Sequence, residues 1–324
     1  MMKKINIRRI LPFFCILLVF SACKVESESI FNMFDVEVTF HNNSQYAIVE
    51  DAVVNDGDSV HIYYTVHSPN EDMMSVVVDS TNGTGTYSQR EIPVTEAERR
   101  SYSGVVKFKM RRDGKMTFRF YAKNEENVYI GDGYTSITVE GAPSYTLFAD
   151  RRLYAPRVNA DLDNPSPSFI SLSTGQTYTY DEAVAVSDQI DFGIDTQYDS
   201  RANYSTFLVY NLYALTVDEY PVEFYDVSNW TKRETKFSAP ITASNAYTTF
   251  TRTLVSSSRI EEQALNQTIN REQTDGVEYT QGLAAANMIY FQTPEGKYGA
   301  MYVNQATRDQ QGRYYVSVDV KIQK

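Results

Sequence analysis

Apolar and polar residues alternate with a period of two along much of the chain, the pattern of a strand that buries one face. Phe34, Val36, Val38 and Phe40 alternate with Asp35, Glu37 and Thr39. Further strand-like runs cover 59–67, 73–79, 104–110, 115–123 and 134–140. Turn chemistry separates them: Asn55-Asp56-Gly57-Asp58, Pro69-Asn70, Asn82-Gly83, Arg112-Asp113-Gly114 and Gly131-Asp132-Gly133. Short strands at this spacing predict one immunoglobulin-like β-sandwich over 31–140. There is no Cys-Trp-Cys core, so the expectation is architectural.

Gly141-Ala142-Pro143-Ser144 interrupts both helix and strand patterns and predicts a linker over 141–145. A second β-rich domain, also expected as a sandwich, follows over 146–324. It opens with a loop-rich stretch holding Pro156, Pro165 and Pro167, and strand-like runs follow at 183–194, 206–215 and 222–237. Residues 256–271 carry the helical pattern: a Ser cluster for the cap, Glu261 and Glu262 for the first turn, and Ile260, Ala264, Leu265 and Ile269 as the apolar stripe. A closing meander is predicted at 288–292, 297–304 and 314–322. The fold class expected is mainly all-β, with two sandwich domains and one short helix in the second.

The amino terminus follows other rules. Lys3, Lys4, Arg8 and Arg9 precede an apolar run over 10–20 that is too short to span a bilayer, which takes about 20 apolar residues. A basic start, a short apolar core and a small-residue cleavage site make a secretory leader over 1–22. Phe20-Ser21-Ala22-Cys23 resembles a bacterial lipobox, which implies cleavage before Cys23 and lipid on its sulfur. Residues 23–30 then read as a flexible polar tether. The implied place is an outer membrane, with surface and periplasmic faces both open.

Cysteine use narrows the chemistry. Cys15 leaves with the leader and Cys23 is consumed by lipid, so the mature chain has no disulfide, no thiolate nucleophile and no Cys-type zinc site. Loss of the four leader cations, with no acid, takes the formal charge from −11 to −15. Nucleic acid and anionic headgroups would be repelled, which excludes nucleic acid as a partner. The partners expected are the membrane, through the anchor, and a polysaccharide or an envelope or outer-membrane transporter protein.

Catalytic signals are sparse. His41, His61 and His67 all lie in the first domain, which leaves the second without an imidazole for a triad or a metal. His61 and His67 stand about 20 Å apart at strand rise and read as exposed-face residues. Carboxylate pairs for glycoside hydrolysis can be picked from Asp188, Asp191, Asp195, Asp218, Glu219 and Asp226, but only geometry distinguishes such pairs. Asp161-Leu162-Asp163-Asn164 lacks the EF-hand frame and reads as a solvated loop. No catalytic residue, metal or cofactor is assigned.

Two surface features stand out. Lys107, Lys109 and Arg111 alternate with apolar residues, as do Lys115, Arg119 and Lys123; a hairpin at 112–114 would place these cations on one face, for an acidic polysaccharide or a partner's carboxylates. The alternative is that lysines keep an exposed sheet from pairing. Tyr220, Tyr225 and Trp230 lie beside Asp218, Glu219 and Asp226, and rings with carboxylates could form a sugar-stacking platform, or else a buried aromatic core.

The stretch 290–299, Tyr-Phe-Gln-Thr-Pro-Glu-Gly-Lys-Tyr-Gly, and the closing Val318-Asp319-Val320-Lys321-Ile322-Gln323-Lys324 resemble the carboxy-terminal ending of a group of uncharacterised Bacteroidetes envelope lipoproteins. The stretch 229–237, Asn-Trp-Thr-Lys-Arg-Glu-Thr-Lys-Phe, is similar to a mid-domain segment of the same group. The resemblance covers about the last 180 residues and implies an envelope component, often suspected of glycan handling. The combined expectation is a non-enzymatic, membrane-anchored binding or scaffold lipoprotein serving polysaccharide uptake. A fimbrial or adhesin subunit is the alternative, and a glycan-active hydrolase the third.

Overall fold

Eight strands come first: β1 (Glu37–His41), β2 (Ala52–Val54), β3 (Ser59–His67), β4 (Ser75–Thr81), β5 (Tyr87–Pro93), β6 (Ser101–Lys109), β7 (Gly114–Lys123) and β8 (Tyr129–Gly141). The structure is a computed structural model that describes residues 36–83, 86–157, 165–203, 205–275, 280 and 282–324. The leader, Cys23, the tether and the loop at 161–164 lie outside the described residues.

Two sheets form, in the orders β1-β3-β6 and β2-β8-β7-β4-β5. All determined pairings are antiparallel except β2 on β8, where Ala52 faces Val139 in parallel register. This strand order is the immunoglobulin-like arrangement. Alternation on β3 buries Val60, Ile62, Tyr64 and Val66 at 0–1% exposure. Each such side chain contributes on the order of 1.5–3 kcal/mol. Tyr64 lies 4.6 Å from the Phe120 ring, and its hydroxyl end fills the space a side chain at Gly104 would need. Strands β2 and β5 were outside the expectation: β2 has three residues, and β5 is almost wholly polar.

From Tyr145 onward the strands are β9 (Tyr145–Tyr154), β10 (Phe169–Ile170), β11 (Thr177–Tyr178), β12 (Phe192–Tyr198), β13 (Leu208–Ala214), β14 (Lys236–Phe237), β15 (Ile241–Thr242), β16 (Asn287–Gln292), β17 (Tyr298–Arg308) and β18 (Tyr314–Gln323). They build a sheet of order β11-β10-β12-β13 and a second of order β14-β16-β17-β18-β9, with β15 also on β16. Side chains from both sheets meet in one core: Ile170, Phe192, Ile194 and Leu212 from the first, Ile289, Phe291, Met301 and Val318 from the second. The chain is therefore all-β in its main elements. Helices α1 (Tyr180–Val184), α2 (Ala246–Thr248, continuing as a π-turn over Thr249–Thr253) and α3 (Ser257–Leu265) are the helical additions among the described residues. None is long and apolar enough to cross a membrane.

Three expected elements differ. Residues 183–194 are not one strand: Thr179 and Glu182 form a capping box that starts α1, a 3-10 turn follows at Ser187–Gln189, and β12 begins only at Phe192. Residues 222–237 are mostly turns, with Tyr225 N–H donating to Val222 and Trp230 N–H to Val227. Their apolar spacing serves a cluster of buried rings instead of a sheet. The helix ends at Leu265, not at 271, and Arg271 exchanges backbone hydrogen bonds with Phe237. Ser256 caps it as expected, but Glu261 and Glu262 both lie beyond the first turn, and Glu262 binds Arg111 and Arg259.

The chain divides into two compact units. The first holds the described residues up to Glu50, His61–Val106 and Thr117–Ile137; the second holds Asp51–Val60, Lys107–Met116 and Thr138–Lys324. Within the second unit Asp113 accepts from the backbone N–H and hydroxyl of Ser144 at 2.7 and 2.6 Å, and Asp56 accepts from Ser258 at the start of α3. Residues 141–145 thus carry the end of β8, three hydrogen-bonded positions and the start of β9.

Candidate functional site

The turn chemistry after α1 places Asp188 and Gln189 at the surface and drives Ile190 and Asp191 inward. Asp191 is 1% exposed, and a buried carboxylate must be satisfied by donors. Its Oδ2 accepts the Leu172 backbone N–H at 2.6 Å and its Oδ1 accepts Nε–H of Arg233 at 2.9 Å. The same guanidinium turns its Nη2 to Glu295, 2.6 and 2.8 Å from the two carboxylate oxygens. Glu295 sits in the tight turn between β16 and β17, where Gly296 adopts φ +81°.

These groups form the floor of a cleft of about 440 Å³. Thr146 and Phe148 of β9 line one side, Leu172 and Ser173 another, and Lys297, Gln323 and Lys324 the rim. Phe148 holds its place because Gly175, at φ +68°, leaves open the space a Cβ would fill: the Phe148 ring lies directly over it. The volume falls in the range of small-ligand sites, and the lining mixes an aromatic wall with hydroxyl, carboxamide and charged groups.

Electrostatics divide the two carboxylates. Burial pushes the Asp191 carboxyl above the usual range, outweighing the Leu172 amide and Arg233, which pull it down. Glu295, although burial opposes its charge, is held below the ordinary glutamate value by its paired hydrogen bonds to Arg233. Arg233 is raised, its carboxylate partners outweighing the desolvation that opposes its charge. The triad is thus a fixed floor in which one guanidinium serves two carboxylates, with Asp188, Gln189 and Lys297 as the exposed polar groups beside it. Among the described residues no three of His, Cys, Asp and Glu gather in a metal-holding arrangement.

The expected aromatic platform is built differently. Tyr225 and Trp230 are each 8% exposed and sit in a buried cluster with Phe169 and Tyr213. Tyr180 covers both, stacked on Tyr225 at 4.4 Å and on Trp230 at 5.6 Å, so these rings stack on one another. Tyr220 is half-buried, its hydroxyl 3.0 Å from that of Tyr213. Asp226 is exposed, and its carboxylate accepts the Ser228 N–H. Of the other acids considered, Asp188 and Asp191 reach the cleft, Asp195 is buried on β12, and Asp218 and Glu219 are exposed elsewhere.

The basic stripe also divides. Strands β6 and β7 do not form a hairpin within one sheet; the connection at 112–114 crosses from one sheet to the other, as consecutive strands do in a Greek-key sandwich. Lys107 and Lys109 are exposed on one sheet, Lys115 and Arg119 belong to the other. Arg119 is committed internally, 2.7 Å from the buried Asp79 and stacked 3.5 Å from the Tyr87 ring. Arg111 binds Glu262. His61 and His41 are half-buried and hydrogen-bonded to Ser44 and Thr65, while His67 is exposed.

Arg233, Glu295 and Phe148 were not singled out from the sequence as site residues. A signal was nevertheless present: Arg233 lies in the 229–237 stretch and Glu295 in the 290–299 stretch, the two segments that carry the lipoprotein resemblance. Their bidentate contact joins those segments.

No family model and no curated protein matches the chain. Among solved structures, it is similar to a CARDB domain of a Pyrococcus furiosus protein in complex with di-metal ions, at 15% identity and a TM-score of 0.24, over 34% of this chain and 96% of that one. A β-glucosidase from Listeria innocua is 10% identical at a TM-score of 0.20, over 34% of this chain and 16% of that one. A Niemann-Pick type C2 protein from Japanese carpenter ant is 10% identical at 0.20, over 33% and 89% respectively. These scores carry no functional argument, and the fold description rests on the strands and their pairing.

Proposed function

We propose that this protein is an envelope lipoprotein, anchored through Cys23 to an outer membrane, whose second unit binds a glycan in the cleft beside Phe148. The single observation that supports the binding site is the cleft itself: one aromatic wall held by Gly175, a floor fixed by the Asp191–Arg233–Glu295 triad, and a rim of hydroxyl, carboxamide and charged groups. Rings take the apolar face of a sugar while fixed polar groups take its hydroxyls. The leader pattern and the resemblance to Bacteroidetes lipoproteins support the envelope setting and a role beside a polysaccharide-uptake apparatus.

Binding is the reading favoured over hydrolysis. A glycosidase needs a carboxyl free to give up a proton and a second carboxylate on the other side of the bond. Here Asp191 and Glu295 both accept from the same guanidinium, and Asp191 has an N–H on each oxygen.

Affinity electrophoresis through gels containing neutral polysaccharides tests the cleft. The expected result is retardation on at least one glycan, lost in Phe148→Ala and in Gln189→Ala. Free migration on every matrix would sink this reading. The anchor is tested separately by mass spectrometry of the mature amino-terminal peptide, with a diacylglyceryl thioether on Cys23 expected and an unmodified thiol counting against it.

A further inference from the structure

The tight turn between β17 and β18 gathers arginines on tyrosines. Asp309 organises this turn: its Oδ1 accepts the N–H groups of Gln311 and Arg313 at 2.9 Å each, and its Oδ2 lies 2.8 Å from Arg313 Nε. That carboxylate is therefore already engaged. Tyr154 of β9 pairs with Tyr315 of β18 in the sheet register, their ring centroids 5.5 Å apart. Arg313 stands 4.5 Å from the Tyr154 centroid, Arg152 4.9 Å from that of Tyr315, and Arg308 5.5 Å from that of Tyr314.

Arg152, Arg308 and Arg313 line an open groove of about 420 Å³ in which Asp309 is the one acidic lining residue. Three guanidiniums against one carboxylate leave the groove about two charges positive, inside a chain whose formal charge is −11. Arg152 and Arg308 are exposed, and neither makes a salt bridge among the described residues. An arginine stacked on a ring uses its face there; Arg152 also donates to the Tyr154 hydroxyl, and its remaining in-plane N–H groups, with those of Arg308, are left for a planar oxyanion. Tyr315 is 6% exposed, so the rings back the guanidiniums and the arginine N–H groups are the binding surface.

We propose that this groove is a second ligand site, distinct from the cleft beside Phe148, that takes an anionic sugar: Arg152 and Arg308 bind its carboxylate or sulfate, and the rings of Tyr315 and Tyr314 behind them hold the guanidiniums in place. Arg313 is a positioning residue, locked to Asp309 so that the turn holds its shape. The acidic body repels a polyanion as a whole, so attachment there needs a local cationic site, and the association weakens as salt rises.

The test uses the mature chain carrying Phe148→Ala, which takes the cleft out of the comparison. Retardation relative to a plain gel is measured in polygalacturonate, dextran sulfate and dextran at low salt, with and without Arg152→Gln and Arg308→Gln. Retardation in at least one anionic matrix and none in dextran is expected, with apparent affinity at least tenfold weaker in the double variant. Preference for polygalacturonate identifies a carboxylate ligand, preference for dextran sulfate a sulfated one. Free migration in both anionic matrices, or equal retardation with and without the two arginines, would overturn the proposal. Neither result bears on neutral glycan binding at the cleft.

Discussion

Arg233 keeps 21% of its side chain exposed between two carboxylates, while Arg152 and Arg308 lie exposed on tyrosine rings with no described salt bridge. The same side chain, in the same unit, is structural in one place and available in the other. The difference follows from desolvation. Asp191 is buried, so its charge needs a permanent partner, and Arg233 supplies it. The groove at the β17–β18 turn has one acid, and Arg313 and two turn amides already engage it, which leaves N–H groups of Arg152 and Arg308 for a ligand.

The largest effect expected from breaking this contrast is on stability. Arg233→Ala leaves a buried carboxylate unpaired and should cost about 3–5 kcal/mol in chemical denaturation at pH 7. The deficit should shrink as pH falls, because the unpaired Asp191, already raised by burial, then takes up a proton and sheds its charge. A variant as stable as the parent would mean that Asp191 is not held as described.

Gly175→Val addresses the wall of the cleft instead of its floor. A branched side chain at φ +68° is strained, and it competes with the Phe148 ring for the same space. A loss of roughly 1–3 kcal/mol is expected, together with loss of neutral glycan retardation; retained binding would show that Phe148 does not shape the site.

Lys321 adds a third basic group and a different outcome. It is 4% exposed, and its Nζ donates to the backbone carbonyls of Phe250 and Leu254 at 2.8 and 2.7 Å. Burial, with help from Arg112, brings its pKa down to about 8. The unfolded chain then holds more protons than the folded one above pH 8, so stability should rise with pH there. The gain is confined to the interval just above pH 8, because tyrosines that burial keeps protonated in the folded chain ionise in the unfolded one as pH approaches 10 and reverse the slope. Lys321→Met should flatten this rise in a pH series of denaturation curves. The smallest stability effect belongs to Arg152→Gln: its contact with Tyr315 is open to solvent, so the denaturation curve should overlay that of the parent; a clear loss would make that arginine structural.

Much of the sandwich was readable residue by residue. β3 runs over the residues its alternation predicted, and β7 starts one residue early, because one face of each strand is buried and the pattern records it. The second unit was less legible where side chains answer to non-local partners. Val222, Tyr225, Val227 and Trp230 read as strand because they are apolar at short spacing, yet they pack as a ring cluster closed by Tyr180. Lys109 and Lys115 read as one face because Arg112-Asp113-Gly114 reads as a hairpin turn, yet their strands belong to different sheets.

The sequence by itself determined the all-β class, most strand positions and the α3 cap at Ser256, since each depends on local period or on the residues at a helix start. Only the tertiary structure decided which charges are committed and which are available. Arg233, Glu295 and Asp191 are far apart in the chain and become one unit because burying Asp191 demands it. Arg152 and Arg308 share a groove because β9 and β17 both pair with β18. Pairing across a sheet and desolvation of a charge are properties of the folded neighbourhood, and no window of residues contains them.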